Sequence, residues 1–159
     1  MTVRVGVGYD SHRFGAGGPM RLGGIDIPSD VHCAGHSDGD AICHAVTDAL
    51  LGAAALGDIG EMFPDTDAAN KGRDSIEMLK AALVRLQTAG LRVHNVDITV
   101  VTQAPKIGPH RPAIRARLAE TLDVPLDAVF VKGKTNEGMG WIGRGEGLAV
   151  LCTASVVTR

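Results

Sequence analysis

Aromatic side chains are almost missing from this 159-residue chain, which carries three Phe, one Tyr and one Trp. Nucleic-acid binding draws on stacking platforms and a basic surface, and a formal charge of −2 leaves the second wanting as well. Small molecules are the expected partners. Cysteine is also scarce: Cys33, Cys43 and Cys152 are odd in number and show no C-x-x-C spacing, which argues against both a disulfide framework and a thiolate zinc site. A reducing, cytoplasmic setting is expected. No segment reaches the ~18 unbroken apolar residues of a membrane span, and the opening MTVRVGVGYD has neither the apolar run nor the cleavage site of a secretion signal. Gly6 and Gly8 form only G-x-G; without a third glycine opening a helix, this is weak ground for a dinucleotide fingerprint.

The length suits one domain over residues 1–159, large enough to remove roughly 70% of the unfolded chain's surface from water. Its centre is the stretch 36–60, HSDGDAICHAVTDALLGAAALGDIG. Ile42, Val46, Ala49, Leu50 and Ala53 recur at helical spacing, predicting a helix from near Asp38 to near Leu56, with Ser37 or Asp38 capping its first turn. On its other side stands His44, with Asp48 one turn on and able to orient the imidazole as an outer carboxylate orients a metal ligand. Orphan N–H groups and the positive helix end beside His36 and Ser37 form an expected phosphate seat.

Alternating Val3, Val5 and Val7 predict a first strand. On a strand, residues two apart share a face, so Asp10 and His12 stand side by side. With His44 they make two nitrogens and one oxygen, a common zinc set with a fourth position open. A short hairpin is expected at 15–28 with Gly23-Gly24 at its turn. The polar run EMFPDTDAANKGRDS after Gly60 is long for a connection without a function and is a candidate lid. A helix over 74–88, on which nothing suggests chemistry, a strand over 91–103 and a helix entered at Pro112 follow. Lys106 sits where that strand hands over to a helix. A strand over 128–132 leads into Gly133-Lys134-Thr135-Asn136-Glu137, donors plus a carboxylate that suit phosphate and magnesium; a plain polar hairpin is the alternative. The last strand, LAVLCTASVV, is nearly all apolar, so both of its faces need cover, and subunit association would complete it.

Five motifs in order resemble the 2-C-methyl-D-erythritol 2,4-cyclodiphosphate synthase family: GYDSH at 8–12, the stretch 36–60, FPDTD at 63–67, QAPK at 103–106 and GRGEG at 143–147. The resemblance implies an α+β subunit with a four-stranded mixed sheet, helices on one face in a ferredoxin-like arrangement, and a homotrimer with active sites between neighbours. It implies that Asp10, His12 and His44 bind zinc and that Glu137 supports magnesium. It places His36 and Thr135 at the transition state, and Ser37 on phosphate. Asp58, Ile59, Gly60, Phe63, Pro64, Asp65, Thr66 and Asp67 would meet the sugar. Ala104, Pro105, Lys106, Ile107 and Gly108 would form the cytidine pocket, with Lys134, Asn136, Trp141 and Arg144 at further contact positions. Lys134-Thr135-Asn136-Glu137 stands where members often read T-T-T-E, and Trp141 where they often have Phe.

The reaction implied closes 4-diphosphocytidyl-2-C-methyl-D-erythritol 2-phosphate into the 2,4-cyclodiphosphate with release of CMP. Two other classes are compatible with parts of the pattern. A two-His-one-carboxylate set also describes non-haem Fe(II) enzymes, which leaves the phosphate-friendly clusters unused. A metal-stapled trimeric module binding isoprenoid diphosphates near Arg144 and Glu146 would use the metal for structure alone.

Overall fold

The computed structural model describes all of residues 1–159. Its frame is a five-stranded sheet in the order β4-β1-β7-β5-β6, formed by β1 (Val3–Ala16), β4 (Val31–Cys33), β5 (Leu91–Val101), β6 (Val129–Lys134) and β7 (Gly147–Thr158). The fifth strand, one more than the motif pattern implies, is β4, a three-residue edge paired antiparallel to the end of β1. Only β5 and β6 run parallel, joined through α4 (Arg111–Leu122). That parallel pair departs from the ferredoxin-like arrangement, in which all neighbours are antiparallel, although the sheet is mixed as expected.

The hairpin β2 (Met20–Leu22) and β3 (Ile25–Ile27) stands outside the sheet. Gly23 and Gly24 have φ of 61° and 76°, the left-handed backbone that a two-residue hairpin turn requires. Asp40 is completely buried. Its carboxylate accepts from the amides of Gly23 at 2.8 Å, Gly24 at 2.7 Å and Cys43 at 3.0 Å, so one side chain pins the hairpin to the start of α1 (Ala41–Ala54).

This corrects the expected helix entrance. Asp40, rather than Ser37 or Asp38, is the cap, and the helix runs about 21 Å at 1.5 Å per residue. A buried carboxylate now occupies the helix's positive end, which closes it as a phosphate seat. Gly6 and Gly8 explain the close docking of α1 on β1: a Cβ at Gly8 would strike the carbonyl of Ala45, and one at Gly6 the carbonyl of Ala49.

The helices α1, α3 (Ser75–Thr88) and α4 cover one face of the sheet around a single buried cluster that includes Ile42, Leu50, Leu79, Ile98, Ile114 and Val150. The valines that define the first strand point the other way. Val3, Val5, Val7 and Tyr9 are 56%, 63%, 67% and 54% exposed, with Leu151 paired to Tyr9 on the same open face. Burial thus falls on the glycine face of β1, because only there can a helix approach.

Candidate metal centre and substrate cleft

The glycine face of β1 continues into Asp10 and His12, and α1 brings His44 across to them. Asp10 Oδ2 lies 2.9 Å from His12 Nδ1 and 3.3 Å from His44 Nδ1, and the three ligand atoms fall within 4.8 Å of one another. The imidazoles are tilted by 41° with centroids 5.3 Å apart. Gly35 leaves room for His12, since a Cβ there would stand 3.0 Å from Nε2. His12 Nδ1 is buried, and its approach to Asp10 is too misaligned to make it a hydrogen-bonded atom. An orphaned ring nitrogen, a second imidazole and a carboxylate converging on one point fit a divalent metal ion.

Electrostatics agree. Burial works against the charged form of Asp10, but His12 and His44 outweigh it and hold the carboxyl below its usual range. Burial likewise works against protonated His44, and Asp10, with Asp40 and Asp38 further off, outweighs it and raises the imidazole above its ordinary value.

The cluster opens into a cleft of about 400 Å³ that also includes His36, Ser37, Ile59, Gly60, Phe63 and Asp65 in its wall. His36 Nε2 is buried there without a hydrogen-bond partner. The 57–74 connection forms the rim and is held by its own hydrogen bonds. Asp58 caps α2 (Ile59–Met62) by accepting from the Glu61 amide at 2.8 Å. Pro64 O accepts from Asn70 Nδ2 at 2.9 Å, and Asp67 caps a 3₁₀ turn through the Ala69 amide at 3.0 Å. The Arg73 guanidinium stacks 4.7 Å over the Phe63 ring. Gly72 N–H donates to His36 O at 2.7 Å, tying this rim to the cleft floor. Thr66 is exposed on it.

A second pocket of about 340 Å³ collects Pro105, Lys106, Ile107, Gly108, Lys134 and Thr135. Ala104 stands next to it, accepting through its carbonyl from Thr102 Oγ1 at 2.6 Å. Asn136 has other duties: its amide donates to Gln103 Oε1 and its Nδ2 to Met139 O, both at 2.8 Å. Glu137, at φ of 53°, follows in the exposed turn. Trp141 on α5 (Gly140–Gly143) and Arg144, paired to Glu146 at 2.6 Å, line neither cavity. Within one chain, therefore, the expected site falls into two separate halves. The largest cavity, about 580 Å³ between the C-terminal ends of α3 and α4, contains none of these residues, so chemistry rather than size identifies the site.

Two expectations fail at His44. Asp48 does not orient it: Asp48 Oδ1 accepts from the Ile59 amide at 2.7 Å, which anchors the rim helix, and burial holds its carboxyl above the usual range. The other nitrogen of His44 meets Ser75 Oγ at 2.8 Å, so the helix without apparent chemistry reaches the site through its first residue. No spacing signal links positions 31 apart; only the docking of α3 joins them.

A model of the YgbB family matches residues 3–157. The chain belongs to the YgbB family. Among YgbB relatives, a 2-C-methyl-D-erythritol 2,4-cyclodiphosphate synthase of Gemmatimonas aurantiaca is 76% identical over 157 residues, covering 99% of this chain and 95% of that one. The synthase of the same name from Erwinia tasmaniensis is 52% identical over 155 residues, 98% of this chain and 99% of the other. A solved synthase in its CDP-bound form superposes with a TM-score of 0.89 at 38% identity, over 97% of this chain and 100% of that one. The bifunctional IspDF of Campylobacter jejuni gives a TM-score of 0.96 at 41% identity; the match covers 99% of this chain but 43% of that longer one. The YgbB relatives are thus enzymes by name, and their fold is the α+β fold described above.

Proposed function

We propose that this chain is a 2-C-methyl-D-erythritol 2,4-cyclodiphosphate synthase: it closes 4-diphosphocytidyl-2-C-methyl-D-erythritol 2-phosphate into the cyclic diphosphate and releases CMP, a phosphorus–oxygen lyase of the non-mevalonate route to isoprenoids. What carries the reading is the Asp10, His12 and His44 cluster opening into the same cleft as the unpartnered Nε2 of His36, in a chain 76% identical to a protein of that name. Residues 1–159 act as one cyclodiphosphate synthase domain, working in the cytoplasm.

The nucleophile belongs to the substrate, whose 2-phosphate oxygen attacks the β-phosphorus as the bond to the CMP oxygen breaks. No side chain becomes covalently attached. The chain's task is to fold the substrate back on itself and hold both phosphates in line, and orientation of this kind supplies about 7 to 11 kcal/mol of a barrier. His36 donates from Nε2 to a phosphate oxygen, and Ser37 and Thr135 offer hydroxyls to the same groups. Pro105 to Gly108 with Ala104 hold the cytidine, Lys106 and Lys134 balance its phosphates, and residues 58–60 and 63–67 enclose the methylerythritol. Asn136 contributes only its spare side-chain carbonyl, since its backbone N–H is spent on Gln103 and its Nδ2 on Met139. Asp10, His12 and His44 would hold zinc, and Glu137 magnesium shared with the substrate; when bound, such cations polarise phosphoryl oxygens and offset their charge.

The two half-sites meet between subunits of a homotrimer. The uncovered Val3, Val5, Val7, Tyr9 and Leu151 support this, because an apolar face of that extent calls for a partner. Trp141 and Arg144 then approach the ligand from the α5 side, and the guanidinium nitrogens of Arg144 not engaged by Glu146 suit an isoprenoid diphosphate.

Phosphorus NMR of the purified protein with the cytidyl substrate and Mg²⁺, before and after metal stripping, tests the reading. CMP and a cyclic diphosphate should appear, vanish on stripping and return with zinc. A folded, metal-loaded assembly that leaves the substrate unchanged would refute it.

A further inference from the structure

His44 has nitrogen contacts on both sides. Nε2 lies 2.8 Å from Ser75 Oγ and 3.0 Å from Ser37 Oγ, while Nδ1 faces Asp10. A neutral imidazole has one N–H and one lone pair, so its ligating nitrogen is whichever one lacks the proton. Ser75 makes that choice. Its hydroxyl is hydrogen-bonded to Asp38 Oδ1, and an ionised carboxylate can only accept; the Ser75 proton therefore goes to Asp38, and a lone pair is left for His44. His44 must answer with an N–H on Nε2, so the nitrogen left to give up its proton when a cation binds is Nδ1, which faces Asp10 Oδ2 at 3.3 Å.

The pair that sets this order is itself held by backbone. Asp38 Oδ2 accepts from the Ser75 amide at 3.0 Å and Oδ1 from the Asp40 amide at 3.1 Å. Asp38 N–H in turn donates to Arg73 O at 3.1 Å. Ser75 has no exposed surface, so water does not compete for its hydroxyl.

We infer that Asp38 and Ser75 are positioning residues of the metal centre: Asp38 fixes the Ser75 proton, Ser75 fixes the Nε2–H tautomer of His44, and Nδ1 is presented as the ligand. The inference rests on the reading of Asp10, His12 and His44 as a divalent metal site. It transfers the outer-carboxylate role from Asp48 to a residue in the preceding loop, and it makes the docking of α3 a condition of metal affinity.

The test is a competition titration of the metal-free full chain with zinc against a chromophoric chelator at about pH 8, above the ordinary histidine pKa of ~6.5. Thermal melts of each metal-free variant run in parallel. Loss of an outer hydrogen bond of this type weakens metal binding about 10- to 100-fold, so Ser75→Ala should fall in that range while Ser75→Thr, which keeps the hydroxyl, recovers most of the affinity. Asp38→Asn should also weaken zinc, because its amide can donate to Ser75 and reverse the order of protons. In the zinc-loaded parent, ¹⁵N NMR should show His44 protonated on Nε2. Ser75→Ala that melts lower yet binds zinc like the parent would show a purely structural role and overturn the inference. If Ser75→Ala does not fold, unchanged zinc affinity in Asp38→Asn overturns it equally. A parent that takes up no zinc would remove the metal reading, and this inference with it.

Discussion

Asp40→Ala is the sharpest test of how the frame is held. The substitution removes a buried carboxylate and leaves three amides, those of Gly23, Gly24 and Cys43, without acceptors. An orphaned buried donor costs about 1–3 kcal/mol, so three set a ceiling near 9; the Gly24 amide is only partly buried and water can reach it, which leaves two buried donors and an expected loss of roughly 2–6 kcal/mol. That is a large share of the ~5–15 kcal/mol that stabilises a domain. Asp40→Asn should fall between the two. Its oxygen can still serve Gly23 and Cys43, which share Oδ1, while its amide opposes the Gly24 N–H. Urea unfolding of metal-stripped protein measures the series without a contribution from ligand, and a fixed concentration holds any contribution from assembly constant across it. An Ala variant within about 1 kcal/mol of the parent, or an Asn variant no better than Ala, would refute the account, since both results would mean that the three amides find other partners.

Other outcomes follow from the site. His44→Ala should leave a folded protein that no longer retains metal, because the apolar stripe of α1 does not use His44; loss of the cooperative melt instead of the metal would count against this. The metal should also be released as the pH falls. Its ligand must be the neutral imidazole, and since the pKa of His44 is raised above 6.5, release should begin at higher pH than for an ordinary histidine. In the metal-free protein the sign reverses. A raised His44 stabilises below pH 6.5 and loses that contribution as pH rises through its folded value, while a depressed Asp10 stabilises above pH 3.8 and loses it as pH falls through its own. The melting-temperature gap between parent and His44→Ala should therefore be widest between those limits and shrink toward alkaline pH; a gap independent of pH would contradict the pairing. Val7→Lys, at a position 67% exposed in the single chain, should abolish self-association in sedimentation velocity with little change to the subunit fold; an unaltered assembly would exclude the open sheet face as the interface.

Local periodicities carried much of this protein. The alternation of β1 placed Asp10 beside His12, because residues two apart on a strand share a face, and the helical spacing of Ile42 to Ala53 marked the core stripe that α1 buries. The glycine pair 23–24 marked the hairpin turn, because only glycine holds φ > 0 there at no cost. Tertiary structure decided the rest. Alternation gave β1 a valine face and a glycine face without saying which would be buried, and the close approach of α1 onto Gly6 and Gly8 turned the valines outward. Asp48 is one turn from His44 in sequence, yet it bonds to Ile59, and the distant Ser75 takes the ring nitrogen instead. Spacing along a helix fixes which side a residue stands on; what it meets there depends on how separate elements dock, which no local pattern encodes.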